Sequence, residues 1–335
     1  MTEAARDLFL PVSAQPSLDD FVVLCERAED LGYDRAWLPE TWGRDAVTIL
    51  ATVAAQTRRI GIGTSVTNVY SRSPALVGQT AATLQEASEG RLRLGLGPSG
   101  PILVENWHGV DYGNPLRRTR ETVEIVRQVL SGEAVEYDGE YFDLSGFRLR
   151  HEPPETAPPV DIAGLGPTAV EMAGRFGDGW HAFLQTPAGL SDRMEDFRRG
   201  GDLGGRDPDD QRVMASLTCC ALADRERARY LARDHVAFYV GAMGTFYRDA
   251  LERQGYGEAA ADVADLWGDG DREDAIDRIS DDLLDDLTAA GHPGECRERL
   301  REFGAVEGVE AVAVAFPRAA ERGEMLATVE ALGPE

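Results

Sequence analysis

The sequence predicts a (β/α)8 barrel, an α/β fold of the TIM type, on three observations. Eight short apolar runs alternate with segments of helical period along 335 residues. Polar and glycine-rich turns follow the C-terminal ends of those runs, where a parallel α/β fold gathers its site. The length beyond the roughly 250 residues typical of one barrel falls in two places. These are an external hairpin over 133–149 and a mostly helical, acidic insertion over about 224–290. The expectation is therefore one domain over 1–335.

Leu8 to Val12 reads as strand one, and Ser17-Leu18-Asp19-Asp20 caps a helix whose Phe21, Leu24, Cys25, Ala28 and Leu31 share a face. Strand two runs from Arg35 to Pro39 into Glu40-Thr41-Trp42, and a helix from Asp45 to Thr57 returns to strand three. That strand opens the most informative stretch, Ile60 to Gly100. Its alternating Ile60-Gly61-Ile62-Gly63 breaks into the hydroxyl-rich Thr64-Ser65-Val66-Thr67-Asn68. Pro74 marks a helix start, Gly90 its end, and Leu92, Leu94 and Leu96 form strand four. Beyond a helix from Pro115 to Leu130, alternation through Tyr137-Asp138-Gly139-Glu140 predicts the hairpin. Strand five is Val160 to Ala163, strand six Gly179 to Phe183, strand seven Val213 to Ala223 and strand eight Gly308 to Phe316. Arg318 to Leu332 closes the barrel as a helix.

The formal charge is -25, from 59 acids against 34 bases, and every base is arginine. Such a surface repels nucleic acid and anionic membrane, so neither is an expected partner. Lysine-free acidity is what is expected of a protein kept soluble in concentrated salt, where screening removes much of the self-repulsion; a GC-rich genome, which favours arginine codons, is a compatible reading. Cys25, Cys219, Cys220 and Cys296 lack any metal-ligand spacing and read as buried, reduced thiols. No signal peptide or spanning segment is visible, which makes a cytoplasmic location the expectation.

Gly95-Leu96-Gly97-Pro98-Ser99-Gly100 matches the dinucleotide pattern G-x-G-x-x-G. A dinucleotide fold needs a helix opening on those glycines and an acid at a strand end about 20 residues on. Neither is present, so Gly95 and Gly97 are assigned to close approach to a bound ring. Ala163-Gly164-Leu165-Gly166-Pro167 is a better candidate. Its backbone N–H groups and the following helix start suit a phosphate, the alternative being an ordinary βα turn. Glu40 and Thr41 end strand two at the barrel mouth, where a carboxylate is costly unless paired or used. His108 follows strand four and His181 lies in strand six, each weighed as structural or catalytic.

Val66-Thr67-Asn68-Val69-Tyr70-Ser71-Arg72-Ser73-Pro74, Thr83-Leu84-Gln85-Glu86 and Gly90-Arg91-Leu92-Arg93-Leu94-Gly95-Leu96-Gly97 resemble the bacterial luciferase-like superfamily. Within it they are most similar to the deazaflavin-dependent branch that includes methylene-tetrahydromethanopterin reductase. The Ala163-to-Pro167 turn, Ala173 to Gly179 and Gly291-His292-Pro293 fit the same pattern. The resemblance implies a barrel that holds coenzyme F420, or alternatively FMN, at its C-terminal face. It implies a non-proline cis peptide at Ser65-Val66 behind the ring and the cofactor phosphate at Gly164 to Pro167. Thr64 to Thr67 would back the ring. The branch often carries Asp-His where this chain has Glu40-Thr41. The proton-handling or ring-orienting group is therefore assigned to Glu40, with His108 second. The expected activity is hydride transfer between the deazaflavin and a small organic substrate, by a homodimer or higher homo-oligomer. An FMN-dependent monooxygenase is the alternative, and a non-catalytic flavin-binding protein the third reading.

Overall fold

The computed structural model describes residues 3–11 and 17–334. Its centre is a closed barrel of eight parallel strands: β1 (Ala5–Phe9), β2 (Arg35–Leu38), β3 (Gly61–Thr64), β4 (Leu92–Gly97), β5 (Val160–Ala163), β6 (Gly179–Phe183), β7 (Arg212–Ala221) and β8 (Ala311–Ala315). Each strand pairs with its successor, and β8 closes on β1 from Ala5↔Ala311 to Phe9↔Ala315. Leu24, Leu50, Val77, Val126 and Phe197 from the surrounding helices are buried in one core around the barrel. No helix among the described residues is long and apolar enough to cross a membrane.

Strand one lies earlier than the apolar run predicts. It is Ala5–Phe9, and Val12, the expected end, falls outside the described residues. The start was hidden because Asp7 points into the barrel, where it accepts from Trp37 Nε1 at 2.7 Å and Arg212 Nη2 at 2.9 Å. A buried carboxylate is tolerable once it is paired in this way.

Glycines hollow out the barrel interior. A Cβ on Gly61 would lie 2.5 Å from the Arg35 guanidinium, and one on Gly63 would lie 2.3 Å from the Trp37 ring. The isoleucine-glycine alternation of strand three thus puts bulk toward the helices and space toward the axis, where β2 sends its largest side chains.

The hairpin pairs Val135–Asp138 with Asp143–Phe147 and rests on the helix Pro115–Ser131 through Val135, Ile125 and Val129. The region over 224–290 is less uniform than its composition implies. Helix Arg225–Ala242 belongs to the barrel wall, with Ala228 and Leu231 packed on Cys220 of β7. From Thr245 on, helices build a satellite core around Leu251, Val263, Ile276 and Leu284, packed against Ala232, Val236 and Val240 of that same helix. The region also ends in a strand rather than a helix. Thr288–Gly291 pairs with Thr218 to Ala221 of β7, beyond the point where β6 leaves it. All four cysteines are buried and free.

Candidate functional site

β3 ends at Thr64, the Ser65–Val66 peptide is cis, and the chain pairs again at Thr67–Asn68 with Leu96 and Gly97 of β4. Thr64 Oγ1 donates to Gly95 O at 2.8 Å and accepts from Gly95 N at 3.0 Å, which ties the two strands together. A Cβ on Gly97 would stand 2.7 Å from Val66 Cγ2 and 3.5 Å from Ala163 Cβ. Val66, Gly97 and Ala163 therefore meet at the C-terminal ends of three adjacent strands and form a shelf. The close approach assigned to Gly95 and Gly97 is first of all to this shelf: a Cβ on Gly95 would sit 2.1 Å from Thr64 O. Thr64 and Thr67 are buried behind it.

Glu40 holds the shelf from the side. Its Oε2 accepts from Asn68 N at 3.1 Å and Ser71 Oγ at 2.7 Å, and its Oε1 is ion-paired with Arg72, which also reaches Asp45 at 2.8 Å. Its backbone N–H donates to Val66 O at 3.1 Å. Both carboxylate oxygens are engaged. Thr41 is half-buried in the bend that follows. His108 lies after the short helix Pro101–Asn106, half-buried, and its Nε2 has no hydrogen-bond partner among the described residues. The structure brings Thr64 to Thr67, Gly95, Gly97 and Glu40 together, and no hydrogen bond among the described residues joins His108 to them.

The second half of the site is the turn after β5. Gly166 is the N-cap of helix Pro167–Phe176, with no side chain capping it, so the first N–H groups are free for a ligand. Trp180 Nε1 donates to Gly164 O at 2.9 Å and fixes the turn from below. The turn is tight, since a Cβ on Gly164 would lie 2.8 Å from the Ala169 carbonyl carbon. The Arg253 guanidinium comes within 3.7 Å of where a Gly166 Cβ would be, and among the described residues Arg253 has no ion-pair partner. Uncapped amides beside an unpaired guanidinium fit a phosphate.

Aromatic rings wall the mouth. Phe183, at the end of β6, packs on Tyr239 at 4.9 Å and Tyr247 at 6.1 Å, and Tyr112 bridges Tyr70 at 5.5 Å and Phe246 at 6.3 Å. Burial pushes the Tyr239 hydroxyl up to about 12, so it stays protonated. Behind this wall His235 Nδ1 accepts from Arg318 N at 2.9 Å, and burial lowers its pKa to about 4, so the ring is neutral.

Beneath the shelf, Arg93 Nη2 and Nε contact the two oxygens of Asp161 at 2.6 and 2.9 Å, and His181 Nε2 lies 3.2 Å from Oδ2. Burial alone would raise the Asp161 pKa. The hydrogen bonds from Arg93 and His181 and the charge of Arg93 outweigh it and hold the carboxyl well below the usual range. Sequence reasoning missed Arg72, Asp161 and Arg253. Asp161 carried a readable signal, a charged residue inside the apolar run Val160-Asp161-Ile162. Arg253 carried none, because its place over the turn depends on how the satellite helices fold back.

A closed barrel with a shelf and an uncapped helix start on adjacent strand ends is a scaffold that fits a flavin- or deazaflavin-type oxidoreductase. Residues 6–309 match the luciferase-like monooxygenase family, and the chain belongs to it. It is 32% identical to the 5,10-methylenetetrahydromethanopterin reductase of Archaeoglobus fulgidus, over 91% of each chain. It is 33% identical to a Mycobacterium tuberculosis protein named, by inference, a coenzyme F420-dependent oxidoreductase, over 94% of this chain and 96% of that one. The solved coenzyme F420-dependent tetrahydromethanopterin reductase of Methanopyrus kandleri superposes with a TM-score of 0.86 at 24% identity, covering 100% of this chain and 98% of the other. That likeness confirms the barrel.

Proposed function

We propose that this protein is a coenzyme F420-dependent oxidoreductase that moves a hydride between the deazaflavin and a small organic substrate. The observation that carries this reading is the pairing of shelf and cradle at the C-terminal face of a chain whose Mycobacterium tuberculosis relative, matched over 94% of this chain, is named for F420. When bound, the deazaflavin supplies a ring carbon that gives or takes a hydride. Everything else falls to the protein. The backbone N–H groups of Gly164 to Gly166 and the Arg253 guanidinium would hold the phosphate, with Pro167, which has no N–H, setting the helix start. Ser65, Val66 and Gly97 support the ring from behind, with Thr64 and Thr67 bracing them.

The Arg72 pair and the Asn68 and Ser71 hydrogen bonds give Glu40 the orienting part of its expected role, since its oxygens are already committed. Phe183, Tyr239 and Tyr247 keep water from the mouth and offer flat faces and hydroxyls to a substrate. A conjugated or heteroaromatic compound, such as the pterin used by the Archaeoglobus relative, suits such a wall. Anaerobic mixing of the protein with reduced deazaflavin and a methylene-tetrahydropterin, or a ketone, should reoxidise the deazaflavin without oxygen. Turnover that requires FMN and consumes oxygen would establish the monooxygenase alternative instead.

A further inference from the structure

Interior positions of a barrel are mostly filled by branched apolar side chains. His181, halfway along β6, is an imidazole there and only 4% exposed. Each of its ring nitrogens has one partner. Nε2 faces Asp161 Oδ2 at 3.2 Å, and Nδ1 faces Ser65 Oγ at 2.9 Å. Asp161 is an anion clamped by Arg93, and an ionised carboxylate only accepts. In the neutral imidazole the proton is thereby assigned to Nε2, and Nδ1 keeps its lone pair. The Ser65 hydroxyl must then donate to Nδ1.

The ring cannot turn away. Trp37 packs edge-on at 4.5 Å and 71°, and the space for Cε1 exists only because Gly95 has no side chain; a Cβ there would be 2.7 Å off. Ser65 is the first residue of the cis pair on which the shelf is built.

We propose that His181 is a positioning residue for the shelf: Asp161 fixes its Nε2–H tautomer, and the bare Nδ1 fixes the Ser65 hydroxyl in one orientation. What the shelf supports rests on the proposed function, but the tautomer does not. The network runs from Arg93 through Asp161 and His181 to Ser65, and it carries order from the closed end of the barrel to its open end. It is second-sphere support of the kind that keeps a binding site within tenths of an ångström.

Two measurements test it. Ring-nitrogen NMR of the unliganded full chain, at mildly alkaline pH, should show His181 with a protonated Nε2 and a bare Nδ1. A protonated Nδ1 would overturn the proposal whatever the cofactor proves to be. Deazaflavin titrations followed by fluorescence quenching form the second arm. His181→Ala and Ser65→Ala should each weaken binding about tenfold, the scale of one lost hydrogen bond. The double variant should be no worse than either single one, and His181→Asn, whose side-chain oxygen can replace Nδ1 as acceptor, should recover most of the loss. Independent effects that multiply to about a hundredfold, or no effect of His181→Ala, would contradict the coupling. If wild-type protein binds no deazaflavin, the proposed function fails while the NMR arm still decides the tautomer.

Discussion

The shelf and the cradle lie on neighbouring strands and are built on opposite plans. At the shelf, the polar groups of Glu40, Thr64 and Ser65 are committed to protein partners. At the cradle, the amides of the helix start are uncapped and Arg253 has no ion-pair partner among the described residues. One region is complete in itself; under the proposed function the other would be completed by its ligand. The difference teaches where each half draws its specificity. A ring is recognised by shape, so its support must be rigid. A phosphate is recognised by charge, so its site must keep donors free.

The strongest way to break the comparison is to fill the shelf's interior. Gly95→Ala places a methyl 2.1 Å from Thr64 O and 2.7 Å from His181, and neither backbone nor locked imidazole can yield. A loss of more than about 3 kcal/mol in urea unfolding is expected, at the upper end of overpacking. Next comes Asp161→Ala, which takes the carboxylate partner from the half-buried Arg93 and should cost about 3 kcal/mol by the same measurement.

The wall that joins the two regions adds a pH dependence. Burial lowers the pKa of folded His235 to about 4, whereas an unfolded histidine keeps its ordinary value of 6.5. Between those values the unfolded chain binds the extra proton, so stability falls as pH drops through that window, by on the order of 3 kcal/mol. His235→Asn, which can still accept from Arg318 N, should flatten that part of the profile relative to wild type in denaturant titrations at fixed salt. The smallest effect is expected at the open region. Arg253→Ala should weaken deazaflavin binding about fivefold, the loss of ~1 kcal/mol from one exposed charge contact, and leave unfolding unchanged. An Arg253 effect on stability as large as that of Asp161 would erase the distinction between the halves.

The barrel was legible because eight buried strands separated by helices leave a period that few other folds share. The turn and helix start after β5 were legible too, since glycine and proline state their backbone needs locally. The interior was not. Arg35, Arg93, Asp7 and Asp161 sit in strands where charge argues against burial, and only the closed barrel supplies their partners: Arg91 O for Arg35, Arg212 for Asp7, and Asp161 for Arg93. Strand one was misplaced for that reason. Gly95 and Gly97 of β4 read as close approach to a ligand; within the protein their nearest neighbours are Thr64, His181 and Val66, which strand alternation does not reveal. Glu40 was found by its cost at a strand end, but its partner Arg72 lies 32 residues on and only the fold brings it back.

The most direct test of the central claim is a paired titration of purified protein with coenzyme F420 and with FMN, each followed by quenching of the cofactor's fluorescence. Saturable binding of F420 with an affinity at least about tenfold above that of FMN, or about 1.4 kcal/mol, is the predicted result. Tight stoichiometric FMN binding without saturable F420 binding would contradict it.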